Sequence, residues 1–190
     1  AGEIIRQRVG LRSIAVSKKG ELLVNGSPVK LHGVNHHDTD PETGWYQSRE
    51  SLTADLRRMK ELNINCIRTS HYPPAPLMLE LCDEMGFYVI LETDIESHGF
   101  LTRYPNPEDR YDLETGEWLC QNPEWGREFL ERMERAVMRD KNHACVIMWS
   151  TGNESGYGEN QRAMIRWLRK RKDGRLIHSE DASRQGADED

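Results

Sequence analysis

The chain has 190 residues, with 26 Lys+Arg against 32 Asp+Glu, a formal net charge of −6, and 36% hydrophobic and 31% charged residues. The acidic balance argues against nucleic acid as the main partner, because phosphate binding needs a surplus of Lys and Arg on the contacting face. No apolar stretch approaches the roughly 18–20 residues of a membrane-spanning helix, and the apolar residues recur periodically, unlike those of a disordered chain.

The first elements read as strands. Leu11 to Val16 alternates, and Glu21 to Val24 runs into Asn25-Gly26, a turn pair in which both residues tolerate positive φ. Pro28 to Leu31 forms the return strand, and the chain continues into Gly33-Val34-Asn35-His36-His37-Asp38. Ser51 is a plausible N-cap for a helix with Leu52, Leu56, Met59 and Leu62 on one face, ended by Asn63. A strand from Ile64 to Ile67 follows. A helix from Pro76 to Met85 is closed by Gly86. Phe87 to Leu91 reads as a parallel strand covered on both faces. Residues 99–122 are loop-like. A long helix from Pro123 to Asp140 carries Trp125, Phe129, Met133 and Val137 at i+4 spacing. Cys145 to Trp149 is another apolar strand, 159–172 is helical, and Leu176 to His178 is a short last strand.

A hairpin followed by alternating apolar strands and helices predicts an α/β fold with a parallel sheet. Polar clusters fall at the C-terminal strand ends: His36/His37, Arg68/His71, Glu96/His98, Asn153/Glu154 and Glu180. That end holds active sites in a β/α barrel. A Gly-rich phosphate-binding turn after the first strand is absent, which favours the barrel over an open doubly wound sheet. Five barrel-type strands make this a partial TIM (β/α)8 barrel. Four cysteines lie far apart with no Cys-x-x-Cys, so free thiols in a reducing compartment, and a cytoplasmic location, are expected.

Glu154 lies just beyond an apolar strand, where a carboxyl group can serve as a general acid; a solvated loop glutamate is the plainer alternative. Glu96 and His98, at i and i+2 of an extended segment, point the same way and could share an ion. With Glu154 they form a set of two carboxylates and one imidazole, which suits magnesium or manganese better than zinc. Read separately, they are polar loop residues. Histidines 36, 37 and 71 at one barrel mouth suggest hydrogen bonds to a polyhydroxylated ligand. Arg68 could pin a carboxylate. Tyr72 and Trp149 could stack on a sugar face or belong to the core. The basic run from Arg166 to Lys172 reads as a solvated helix face.

Two long segments carry a resemblance. Asn65 through Pro73, continuing past Asp83 to Gly86-Phe87-Tyr88-Val89-Ile90, is one; Asp140 through Glu154 is the other. Together with Gly33 to His37 and Glu96-Ser97-His98-Gly99, they resemble glycoside hydrolase family 2, most closely its β-galactosidase members. The resemblance implies that residues 1–15 are the tail of an immunoglobulin-like β domain and 16–190 the N-terminal part of the catalytic barrel. It implies a retaining glycosidase acting on terminal β-D-galactosides, with Glu154 as general acid/base and Asn153 near the sugar 2-hydroxyl. His37 and His71 would line the galactose pocket, Glu96, His98 and Glu154 would bind Mg2+, and the full-length parent would be a homo-oligomer. His36 stands where many relatives have Arg and receives no role. The family nucleophile lies on a later strand, beyond this chain, and Glu180 is placed as a pocket-side or structural acid. Other members of the family act on β-glucuronides or β-mannosides. A non-catalytic carbohydrate- or metal-binding half-barrel is the alternative of a different class.

Overall fold

The computed structural model describes residues 2–6, 8–99 and 119–184. Three short antiparallel strands come first: β1 (Ile14–Val16), β2 (Leu22–Val24) and β3 (Ser27–Pro28), in the order β1-β2-β3. Asn25 and Gly26 both take positive φ, 50° and 79°, in the turn that joins β2 to β3. This segment is tied to the chain around residues 142–146. Gly10 N donates to Asn142 O, and Arg12 Nη2 donates to Val146 O at 2.7 Å.

The main sheet has five parallel strands: β4 (Gly33–His36), β5 (Cys66–Thr69), β6 (Tyr88–Glu92), β7 (Val146–Ser150) and β8 (Leu176–His178). They are connected by α1 (Arg49–Glu61), α2 (Pro76–Met85), α3 (Gly126–Asp140, preceded by a 3-10 turn at Pro123–Trp125) and α4 (Glu159–Arg171). A last short helix, α5 (Glu180–Arg184), was not expected. The spatial order β4-β5-β6-β7-β8 is the chain order, and each neighbouring pair is parallel. An open doubly wound sheet would reverse its order at a switch point. Strictly sequential order is what a β/α barrel requires, so the partial barrel expected from the sequence is the architecture found.

Several boundaries differ from the sequence reading. The N-cap of α1 is Ser48, not Ser51: Ser48 Oγ accepts from Ser51 N, so the helix begins a turn earlier. Leu62 caps that helix and is exposed, while Leu52 and Leu56 are buried. The hydrophobic period runs one residue past the helix end. The helix from Pro76 to Met85 and its left-handed Gly86 cap are as expected. Most of the 99–122 loop lies outside the described residues.

The core lies between the sheet and its helices. Leu52, Leu56, Ile67, Leu79, Cys82, Val89, Leu91, Phe129, Met133, Val137, Trp149 and Met164 belong to one buried cluster. Along β6, Val89 and Leu91 are buried while Tyr88 and Ile90 are only half-buried. Among the described residues, therefore, helices cover one face of that strand, not both. Trp149 is core: it is 1% exposed and donates through Nε1 to Asp173 Oδ2 at 3.1 Å. All four cysteines are free and buried. Burial pushes the Cys66 thiol up to about 11, and Cys82 and Cys120 to about 12. Among the described residues, no helix is long and apolar enough to cross a membrane.

Candidate active site

Parallel strands in sequential order deliver their C-terminal residues to one edge, and the polar side chains there form two connected groups. The first centres on Glu92, the last residue of β6, whose side chain is fully buried. Arg68 from β5 donates through Nε to Glu92 Oε2 at 2.8 Å. Ser150 Oγ from β7 donates to the same oxygen at 2.6 Å, and His71 Nδ1 lies 2.7 Å from Oε1. A carboxylate is an acceptor, so the tautomer of His71 that carries its proton on Nδ1 is the one that donates to Glu92. Burial, followed by the charge of Arg68, lowers the pKa of His178, whose Nδ1 is 2.8 Å from Ser150 Oγ.

Arg68 thus neutralises an internal carboxylate rather than waiting for one on a ligand. Its Nη2 also donates to Asn153 Oδ1 at 2.9 Å and sits 3.7 Å from Glu180 Oε2. Glu180 begins α5 and is salt-bridged to Arg184, which suits a structural acid beside the pocket.

The second group is at the extensions of β6 and β7. The pairing of these strands continues past their ends as an isolated parallel bridge between Glu96 and Asn153. Asn153 N donates to Ile95 O at 2.9 Å, and Asn153 Nδ2 donates to Glu96 Oε2. Gly152 makes this approach possible. Its φ is +123°, and a Cβ there would lie 2.6 Å from Ile95 O. The bridge brings Glu96, His98 and Glu154 together, with one ligating atom of each within 4.8 Å of the others. His98 Nδ1 is 2.7 Å from Glu96 Oε1 and 3.9 Å from Glu154 Oε2. The hydrogen bond to Glu96, and then the charges of Glu96 and Glu154, push the imidazole pKa up. Two carboxylates and one imidazole on an open edge fit an oxygen-preferring divalent cation that keeps part of its water shell.

His37 lies on the other side of the mouth. Its ring is 5.4 Å from the His71 ring, edge to face, and 6.2 Å from Tyr72. Tyr72 Oη accepts from Asp38 N, and Asp38 Oδ2 accepts from Ala75 N, so the β4 and β5 loops brace each other. His36 Nδ1, at the end of β4, sits 3.5 Å from Asp38 Oδ1 in the loop that follows.

The structure therefore gathers the predicted residues into two sets, Glu96/His98/Glu154 with Asn153 and His37 with His71. Arg68 and Glu92 join them, because Arg68 touches Asn153 and Glu92 touches His71. Sequence reasoning missed Glu92, Ser150 and His178. A charged residue closing the apolar run Val89-Ile90-Leu91 was the available signal for Glu92.

The family model for glycosyl hydrolases family 2, TIM barrel domain, matches residues 14–189. Among curated proteins, a beta-galactosidase from Arthrobacter sp. (strain B7) is 46% identical over 182 residues, covering 95% of this chain and 17% of that protein. A beta-galactosidase from Actinobacillus pleuropneumoniae is 41% identical over 197 residues, covering 95% of this chain and 20% of that protein. The chain thus spans a fifth or less of the length of these relatives. Among solved structures, a beta-D-glucuronidase for Dictyoglomus thermophilum superposes with a TM-score of 0.70 at 25% identity, covering 90% of this chain and 29% of that one. A β-glucuronidase from Ruminococcus gnavus in complex with D-glucuronic acid gives a TM-score of 0.60 at 30% identity, covering 76% and 21%. A family match over nearly the whole chain agrees with a run of β/α units whose polar residues meet at one strand edge: the chain belongs to glycosyl hydrolase family 2 and carries part of its TIM barrel domain.

Proposed function

We propose that this chain supplies the general acid/base and part of the sugar pocket of a retaining β-galactosidase. The observation that carries the reading is the Glu96–Asn153 bridge, which sets Glu154 at the barrel mouth beside Glu96 and His98. Glu154 gives its proton to the departing glycosidic oxygen, then takes one from the water that releases the galactosyl-enzyme intermediate. Retention requires a second carboxyl group about 5–5.5 Å from the first as nucleophile. By resemblance to the family that group is a glutamate on a later strand, not Glu180. Asn153 hydrogen-bonds near the sugar 2-hydroxyl, and His37 and His71 line the pocket. Glu96, His98 and Glu154 would hold Mg2+, which supplies positive charge beside the acid/base and orders nearby water.

Galactose is preferred because the curated β-galactosidases match at 41% and 46% identity, against 25% and 30% for the solved glucuronidases. The test uses the full-length polypeptide that carries this sequence. Nitrophenyl β-galactoside, β-glucuronide and β-mannoside are compared, and the galactoside should give the highest kcat/KM. Glu154→Gln should lower turnover of an alkyl galactoside by about 10²–10⁴-fold, the usual contribution of a positioned acid/base. Unchanged turnover would end the assignment of Glu154. EDTA should lower activity and Mg2+ should restore it.

A further inference from the structure

Glu154 has φ +36°, in the left-handed region that a residue with a side chain adopts at a cost and keeps only when its neighbours hold it. Its own side chain is weakly held: His98 is 3.9 Å away and Arg184 3.5 Å. The restraint comes through the backbone on either side. Before it, Asn153 is fastened to Ile95, Glu96 and Arg68. After it, Ser155 N donates to Asp181 Oδ2 at 2.8 Å in a buried contact. Ser155 Oγ donates to Asn153 O at 2.7 Å and accepts from Ser97 N at 2.9 Å, tying the loop to the segment between Glu96 and His98.

Asp181 is a buried carboxyl group in this arrangement that the proposed chemistry does not use. It is 5% exposed, on α5, and it accepts from Ser155 N, with the Gly156 N–H as a further backbone donor. We propose that Asp181 is a positioning residue: by accepting the Ser155 N–H it fixes the left-handed backbone at Glu154 and so aims the Glu154 carboxyl group at the glycosidic oxygen. This rests on the reading of Glu154 as the acid/base. It adds that α5, beyond the last described strand, sets the angle of the acid.

The test separates aim from stability by leaving-group chemistry. Cleaving an alkyl galactoside requires protonation of a poor leaving group, whereas a dinitrophenyl galactoside departs unprotonated. In the full-length polypeptide, Asp181→Leu should lower kcat/KM for methyl β-galactoside by roughly tenfold or more, part of the usual range for acid catalysis. For the dinitrophenyl substrate it should change kcat/KM by less than about threefold. Asp181→Asn keeps a carbonyl acceptor for Ser155 N and should return the methyl galactoside value to within about threefold of the parent. If the leucine variant does not fold, Asp181→Ala is read in the same way. Equal losses on both substrates, or no rescue by asparagine, would overturn the positioning role. Glu154→Gln is the control. If it shows no leaving-group dependence, the acid/base reading fails. If it does and Asp181→Leu does not, only the role of Asp181 fails.

Discussion

Replacing Glu92 by leucine should destabilise the chain by about 3–5 kcal/mol, the usual cost of removing one partner from a buried ion pair. The Glu92 side chain is fully buried and that of Arg68 is 16% exposed, so the guanidinium left behind cannot recover its hydration by a small movement. Three groups lose their acceptor: Arg68, Ser150 Oγ and His71 Nδ1. At about 1.5–3 kcal/mol for each hydrogen bond to a charged group, their sum is an upper limit. Two offsets bring it down. Arg68 keeps Asn153 Oδ1 at 2.9 Å and Glu180 at 3.7 Å, and a buried leucine gains about 1.5–3 kcal/mol of transfer energy. The assay is urea unfolding of the chain followed by tryptophan fluorescence, with free energies from linear extrapolation. The double variant Arg68→Met/Glu92→Leu removes the orphaned charge together with its cause, and should be more stable than Glu92→Leu alone. A loss below about 1 kcal/mol for Glu92→Leu would refute the reasoning, as would a double variant whose cost equals the sum of the singles.

Gly152→Ala should cost about 2 kcal/mol or more, because φ +123° and a Cβ 2.6 Å from Ile95 O act together. Gly86→Ala, at φ +74° with nothing within 4 Å, should cost only about 1–2 kcal/mol; a reversed ranking in urea unfolding would contradict this account. The four thiols, all buried and shifted upward, should resist Ellman's reagent in the native chain and all react in concentrated urea. Rapid native labelling of Cys82 or Cys145 would show that the strand–helix core opens readily. His143 Nδ1 lies 2.7 Å from Asp83 Oδ2, which raises the His143 pKa, although burial opposes the rise. Burial alone would raise Asp83, but the hydrogen bonds from His143 and Cys145 N outweigh it and hold Asp83 low. The pair's stabilisation is therefore full between about pH 4 and 6.5, the ordinary Asp and His values. It fades as pH rises through the raised His143 pKa, and as pH falls through the lowered Asp83 pKa. His143→Asn should lose most stability near pH 5–6 and less at pH 9; a constant loss would exclude a charged pair.

Local signals were legible where one short-range interaction decides the outcome. The turn at Asn25-Gly26 and the Gly86 cap need positive φ, which those residues tolerate best, and both stand where expected. The start of α1 was displaced because Ser48 and Ser51 are equally good caps by type, and only the chain's direction into the helix chose Ser48. The same limit applies to Trp149. An aromatic at a strand end reads alike whether it stacks on a sugar or packs against a helix, and its contact with Asp173 and full burial decide for the core.

The sequence by itself determined the order of elements, the parallel sheet they imply, and the strand end at which the polar residues collect. Hydrophobic period and turn chemistry are local, and sequential strands leave little freedom in topology. Glu96, His98, Asn153 and Glu154 stand out in the sequence because each follows an apolar strand. Only the tertiary structure decided what those residues touch. Glu92 draws no notice in the sequence, and its importance comes from Arg68, His71 and Ser150, which close around it from two other strands. Asp181 was invisible because its partner, Ser155, lies 26 residues earlier in the chain. A hydrogen bond between loops is fixed by how the barrel brings strand ends together, and that distance is not written in either loop's own sequence.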